Sequence, residues 1–115
     1  MRFVIQEHHT DPLHWDLMLE REGVLRTWSL AAPPPEGPFE IDALQHFDHR
    51  ILYLEYEGAV SGNRGRVRIW DRGYFEASWG EKRILLSLSG MRLTGAFDLE
   101  FLKSGHRSAW VFRRS

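Results

Sequence analysis

Apolar residues alternate one by one along most of this 115-residue chain, and a period of two commits it to strands rather than helices. In residues 13–20, Leu13, Trp15, Leu17 and Leu19 fall on one face and His14, Asp16, Met18 and Glu20 on the other. Arg2-Phe3-Val4-Ile5-Gln6 reads as a strand before it, and residues 24–30 as the return strand of a hairpin turned at Arg21-Glu22-Gly23. Residues 66–70, 74–79, 83–89, 91–102 and 109–113 continue the pattern, with turn signals between them that include Asp71-Arg72-Gly73. Residues 51–56 are strand-like, whereas 39–49 suit either a short strand or a helical turn. The Pro-rich segment 31–38 is a stiff loop, since its prolines fit neither a central strand nor a helix interior. Short strands spaced about 8–12 residues apart predict an all-β sandwich or barrel. The length predicts a single domain over 1–115.

Composition narrows the setting. Hydrophobic residues make up 43% and aromatics 13%, enough for a core and too much for a disordered chain. With no cysteine, a disulfide scaffold, a zinc ribbon and a cysteine nucleophile are excluded. No apolar run approaches the roughly 18 residues of a membrane span. Residues 1–7 turn polar too early for a signal peptide. A cytoplasmic protein without a membrane partner is the expectation. The net charge of −1 conceals a split: residues 1–60 carry four Lys/Arg and eleven Asp/Glu, residues 61–115 eleven and five. The acidic half also holds five of the six histidines. An acidic, histidine-rich half suits a cation and a basic half an anion; a chance split that folding mixes is the plainer reading.

His8, His9, His14 and Asp16 crowd together, and His46, Asp48 and His49 follow the Pro-rich loop. On a strand, His14 and Asp16 share a face. Two imidazoles and a carboxylate hold Mn²⁺ or Fe²⁺ with positions left open for water and substrate, and Zn²⁺ takes the same ligand types. The alternative is histidines that cap strand ends and a solvated face. Arg64, Arg66 and Arg68 also alternate and fit a phosphate backbone, with Trp70 as a base-stacking partner; the alternative is a charged face that resists edge pairing. Trp28, Phe97, Phe101, Trp110 and Phe112 are candidate core.

The strings Phe3-Val4-Ile5-Gln6-Glu7-His8-His9, Leu13-His14-Trp15-Asp16-Leu17-Met18-Leu19-Glu20, Gly23-Val24-Leu25, Trp28, Asp48-His49, Tyr53, Glu57-Gly58 and Ile69-Trp70-Asp71-Arg72-Gly73 resemble the 3′-phosphoesterase domain of bacterial DNA ligase D. Leu86, Leu88, Gly90, Arg92-Leu93, Gly95 and Trp110 extend the resemblance over nearly the whole chain. It implies a compact closed antiparallel β-barrel of about eight strands. It implies a Mn²⁺-dependent hydrolase that trims DNA or RNA 3′ ends in end joining, removing a 3′-ribonucleoside and then the 3′-phosphate. Separate ligase, polymerase or other end-joining proteins would be its partners. By position, the resemblance makes His8, Asp16 and His49 the metal ligands, and puts His14 and Tyr53 on the scissile phosphate, His14 also as an acid.

The chain also departs from the pattern. Met18 stands where the family has an arginine, and without a gap Ile41 takes the place of a second. Ala31-Ala32 replaces Pro-Lys, and Phe47 replaces a glutamate. Arginine forks match phosphate oxygens bidentately, and losing one transition-state donor costs about 10²–10³ in rate at comparable sites. Arg50 or the Arg64, Arg66, Arg68 row are the candidates to compensate. Three readings follow: a 3′-phosphoesterase with weakened activity, a non-catalytic metal-binding barrel that recognises nucleic-acid ends or a repair partner, and a phosphoesterase whose pocket, lined by Met18 and Ile41, takes a smaller substrate.

Overall fold

The computed structural model describes all of residues 1–115. Its strands are β1 (Arg2–His9), β2 (His14–Arg21), β3 (Val24–Leu30), β4 (Phe39–Gln45), β5 (His49–Arg50), β6 (Gly58–Ala59), β7 (Arg66–Trp79), β8 (Arg83–Gly90), β9 (Thr94–Lys103) and β10 (Ala109–Arg114), with a 3₁₀ turn at Ile51–Leu54. Eight strands close a ring in the order β1-β2-β3-β4-β10-β9-β8-β7, and β7 pairs back onto β1. Every neighbouring pair is antiparallel. The expected closed eight-stranded barrel is therefore the fold, and closure leaves its wall without a free edge. β5 and β6 lie outside the ring, paired to β3 and β7. No helix is long and apolar enough to cross a membrane.

The β2–β3 hairpin turns on Glu22 (φ 53°) and Gly23 (φ 83°). Two consecutive positive φ values suit the primed turn whose twist matches the flanking strands, and glycine adopts one of them freely. The turn sets the register from Arg21↔Val24 to Trp15↔Leu30, and so puts Asp16 opposite Ser29.

The alternation sorts side chains to the two sides of the barrel wall. Phe3, Ile5, Leu17, Leu19, Trp28 and Phe112 fill the interior. Val4, Met18 and Leu25 point to the other side, where Leu54 covers them, with Ile51, Tyr53 and Ile69 packed around. The segment between β4 and β7 is thus folded over the outer face of β1–β3. Buried Gln6 fastens it there, its amide donating to the carbonyls of Tyr53 (3.0 Å) and Tyr56 (3.1 Å).

Three local expectations are corrected or resolved. Residues 51–54 are a 3₁₀ turn rather than a strand, because Ile51 and Leu54, three apart, must both reach the same apolar face. Residues 39–45 are a strand, with Phe39, Ile41 and Ala43 alternately buried. Asp71-Arg72-Gly73 is no turn: β7 runs straight through it. The buried Asp71 carboxylate instead accepts the backbone N–H groups of Met91 (2.8 Å), Arg92 (3.0 Å) and Leu93 (2.9 Å), organising the β8–β9 turn. Gly73 lets β8 approach, since a Cβ there would lie 2.0 Å from the Ser89 carbonyl oxygen.

Candidate metal centre and its cavity

The outer face of β1 and β2 carries, in order, Val4, Gln6 and His8 opposite Met18, Asp16 and His14. The apolar cover ends at Met18, and beyond it the seam under residues 46–60 opens into a cavity of about 300 Å³. His8, His14 and Asp16 line it with Met18, His49, Arg50, Tyr53 and Arg64.

Asp16 is 4% exposed. Its Oδ2 lies 3.3 Å from His14 Nε2 and 3.6 Å from His8 Nδ1. Its Oδ1 accepts the Ser29 hydroxyl at 2.9 Å. Burial alone would raise this carboxyl. Hydrogen bonds from His14, His8 and Ser29 outweigh it and hold the group well below the usual carboxylate range. The bond to Asp16 raises His14 above its ordinary value against the pull of burial. Burial lowers His49 and His46, and the Arg107 charge adds to the effect on His46.

The far nitrogens of these rings decide what the site can hold. His8 Nε2 lies 2.6 Å from the Arg64 carbonyl, and His14 Nδ1 3.0 Å from the Pro12 carbonyl. His49 Nδ1 lies 3.0 Å from the Phe47 carbonyl and 3.0 Å from Thr27 Oγ1. A carbonyl only accepts, so each of these nitrogens carries hydrogen. In the neutral rings that leaves His8 Nδ1, His14 Nε2 and His49 Nε2 to present lone pairs, the tautomer set by outer partners that metal-ligating histidines show, whereas His8 and His14 hydrogen-bond Asp16 through the same atoms only when protonated. His8 Nδ1 and His14 Nε2 both face the same carboxylate oxygen, an arrangement that a cation or shared protons must reconcile. The ligand atoms of His8, His14 and Asp16 lie within 4.8 Å of one another. Two imidazoles and one carboxylate fit a divalent metal with open positions.

The family model for the DNA ligase D 3′-phosphoesterase domain matches residues 6–100. The chain belongs to this family. It is similar to the multifunctional non-homologous end joining protein LigD of Mycolicibacterium smegmatis (35% identical over 85% of this chain and 15% of that protein) and of Mycobacterium bovis (34% over 84% and 14%). The LigD of Pseudomonas aeruginosa is 28% identical over 86% of this chain and 13% of its own length. The chain thus spans only about one seventh of the curated relatives it matches.

Set against the family pattern, the expected residues are rearranged. His8 and Asp16 come together with His14, because His8 and His14 are ladder partners and Asp16 is two residues on. His49 is outside that group and lines the same cavity, 5.7 Å ring to ring from Tyr53. Met18 lies on the cavity wall, but Ile41 does not: it sits in the barrel core opposite Phe112, so the two do not line this cavity together. Arg50 is exposed at the cavity, and Asp48, which also lines it, is paired to Arg26 (3.2 Å). Arg64 also lines the cavity, its guanidinium held by Ser61 O (2.6 Å) and Oγ (3.1 Å). Arg66 and Arg68 lie on the opposite face of β7 from the cavity-lining Val67, and Arg68 is paired with Glu7 (3.7 Å). Trp70 sits at the β1–β7 bulge, packed on the core with the Arg92 guanidinium 4.5 Å over its ring. The arginine row and Trp70 therefore form no single nucleic-acid track.

Ser29, Thr27 and Gln6 shape the site and drew no notice as sequence. Ser29 had a signal, since the Glu22-Gly23 turn dictates its pairing with Asp16. Gln6 and Thr27 had none, because their partners come from the distant 46–56 segment.

Proposed function

We propose that residues 1–115 form one metal-dependent phosphoesterase domain that trims nucleic-acid 3′ ends, removing a 3′-ribonucleoside and a 3′-phosphate as part of end joining. The observation that carries this reading is the convergence of His8 Nδ1 and His14 Nε2 on one buried Asp16 oxygen, each ring turned by a carbonyl behind it. His8, His14 and Asp16 would hold the ion, Mn²⁺ by family resemblance, with Zn²⁺ or another divalent metal compatible with the same donors. When bound, the metal supplies charge on the phosphoryl oxygen and a water of lowered pKa.

The remaining roles belong to the chain's own side chains. With His14 in the ligand group, proton handling passes to His49, whose Nδ1 is engaged by Phe47 and Thr27 and whose Nε2 is free. Burial keeps His49 neutral near pH 7, so it accepts a proton from attacking water. Tyr53 and Arg50, on the same cavity wall, orient the phosphate. The relatives' names, which speak of end joining and DNA repair, support the substrate class.

Met18 in place of the family's arginine favours weakened turnover and gives a second reading, a metal-binding barrel that recognises ends without cleaving them. Phosphate release from a primer-template with a 3′-phosphate, in Mn²⁺ and in Zn²⁺, separates the two. Release above that of an Asp16→Ala control supports the enzyme. Binding of the ends without release supports the non-catalytic reading, and neither binding nor release sinks both.

A further inference from the structure

Arg107, in the connection from β9 to β10, reaches the metal-ligand group without touching it. Its Nη2 donates to Ser29 Oγ at 2.8 Å and to the Leu44 carbonyl at 3.3 Å, and its Nε to the Gln45 carbonyl at 3.3 Å. A guanidinium has no lone pair, so the Ser29 oxygen must accept from it. The one Ser29 proton then goes to Asp16 Oδ1, 2.9 Å away. That commits Oδ1 and leaves Oδ2, the atom facing both imidazoles, as the free oxygen.

The two carbonyls anchor the guanidinium on the end of β4, where Leu44 is the register partner of Ser29. Ser29 is in turn the register partner of Asp16. One fork thus clamps three successive strands, β4, β3 and β2, along a line that ends on the carboxylate. The positive charge at this end of β3 comes from a residue 78 positions away from Ser29 in the chain.

We propose that Arg107 is a positioning residue for Asp16, acting through Ser29 to fix which carboxylate oxygen meets the metal. This rests on His8, His14 and Asp16 being the metal ligands. The rival role is a plain structural staple for the strand ends. A staple would lower the stability of the metal-free chain and leave the metal affinity alone.

The test is titration of the full chain with Mn²⁺ and with Zn²⁺, for wild type, Arg107→Ala, Arg107→Lys, Ser29→Ala, Ser29→Thr and the double alanine variant, with melting in EDTA as the structural control. Arg107→Ala and Ser29→Ala are each expected to weaken metal binding about 10–100-fold, the range for a lost outer-shell partner. The double variant is expected to lose little more than either single one, because both break the same chain of hydrogen bonds. Ser29→Thr keeps the hydroxyl and should bind as wild type. Additive losses, or metal affinity in Arg107→Ala within about twofold of wild type, would overturn the proposal while leaving the ligand set standing. If wild type itself binds neither metal, the ligand set falls and this proposal with it. Should Arg107→Ala fail to fold, Arg107→Lys and Ser29→Ala carry the same comparison.

Discussion

His8 and His14 are direct partners across the β1–β2 ladder, their rings 4.7 Å apart, and both turn a nitrogen toward the Asp16 carboxylate. Five residues separate them in sequence, and a hairpin places them side by side. The arrangement predicts a graded response to substitution. Asp16→Asn keeps the shape, removes the charge and turns an amide toward the imidazoles. It should weaken Mn²⁺ or Zn²⁺ binding by more than about 100-fold, beyond the cost of an outer-shell change. His8→Ala and His14→Ala should do the same, whereas His9→Ala should not, because His9 points away to Glu7 (2.6 Å). Calorimetric titration reads this directly; equal losses for His9 and His8 would remove the ligand assignment.

The barrel was legible because period-two alternation and turn residues are local signals, and the β2–β3 turn even dictates the Asp16–Ser29 pair. What stayed hidden came from distance and from shared vocabulary. The alternation along one strand already put His14 beside Asp16, but only the ladder register adds His8 to them, and only the folding of the 46–60 segment over the barrel brings His49 to the same cavity. Asp71 and Gly73 carry the composition of a turn, yet they serve the turn of another hairpin and a close strand approach. Ile41, expected from the resemblance at the phosphate pocket, has its side chain in the barrel core, which its place in the sequence does not reveal.

Asp71 gives a prediction about stability. Its carboxylate is 2% exposed and accepts four backbone N–H groups, those of Arg72, Met91, Arg92 and Leu93. An asparagine that keeps its oxygen at the Oδ1 position, where three of the four donate, loses the charge from those bonds and sets an NH₂ against the Leu93 N–H. At about 1.5–3 kcal/mol for a hydrogen bond to a charged group, Asp71→Asn should cost about 3 kcal/mol or more. Gly90→Ala should be comparably harmful, since its Cβ would lie 2.5 Å from Asp71 Oδ2 and 2.8 Å from Phe3 Cζ. Urea denaturation measures both, and a loss under about 1 kcal/mol in each would show that this cap is dispensable.

The histidines predict a pH dependence in the metal-free chain. Burial, followed by the Arg107 charge, holds His46 below its ordinary value. The unfolded chain therefore takes up protons first as pH falls through about 6.5, and between the two values it binds more protons than the folded chain. Stability contributed by a neutral His46 is present above that range and is lost as pH falls. His14, raised by its bond to Asp16, has the opposite sign: its contribution is present below the ordinary value and lost as pH rises through the raised one. The difference between wild type and His46→Gln isolates the first effect. In EDTA, from about pH 7.5 down to about 5.5, the wild type should lose stability more steeply than His46→Gln. Parallel curves would mean that His46 titrates alike in both states.

Met18 stands where the resemblance to the ligase D domain expects an arginine. It is 1% exposed, two residues past Asp16 on the same face, against Val4, Leu25 and Leu54, and it reaches the cavity wall. An arginine there can lay its aliphatic stem over those apolar contacts and send its guanidinium into the cavity of about 300 Å³. Met18→Arg should cost about 1–3 kcal/mol of stability through overpacking. If the domain hydrolyses 3′-phosphates, it should also gain rate, up to the roughly 10²–10³ that one transition-state donor contributes elsewhere. Met18→Lys should gain less, because a point charge lacks the bidentate fork. Met18→Ala should lose about 2–5 kcal/mol with no gain in rate. A rate for Met18→Arg no higher than wild type, in a folded and metal-binding protein, would mean that position 18 does not face the phosphate and that the missing arginine is not what limits the reaction.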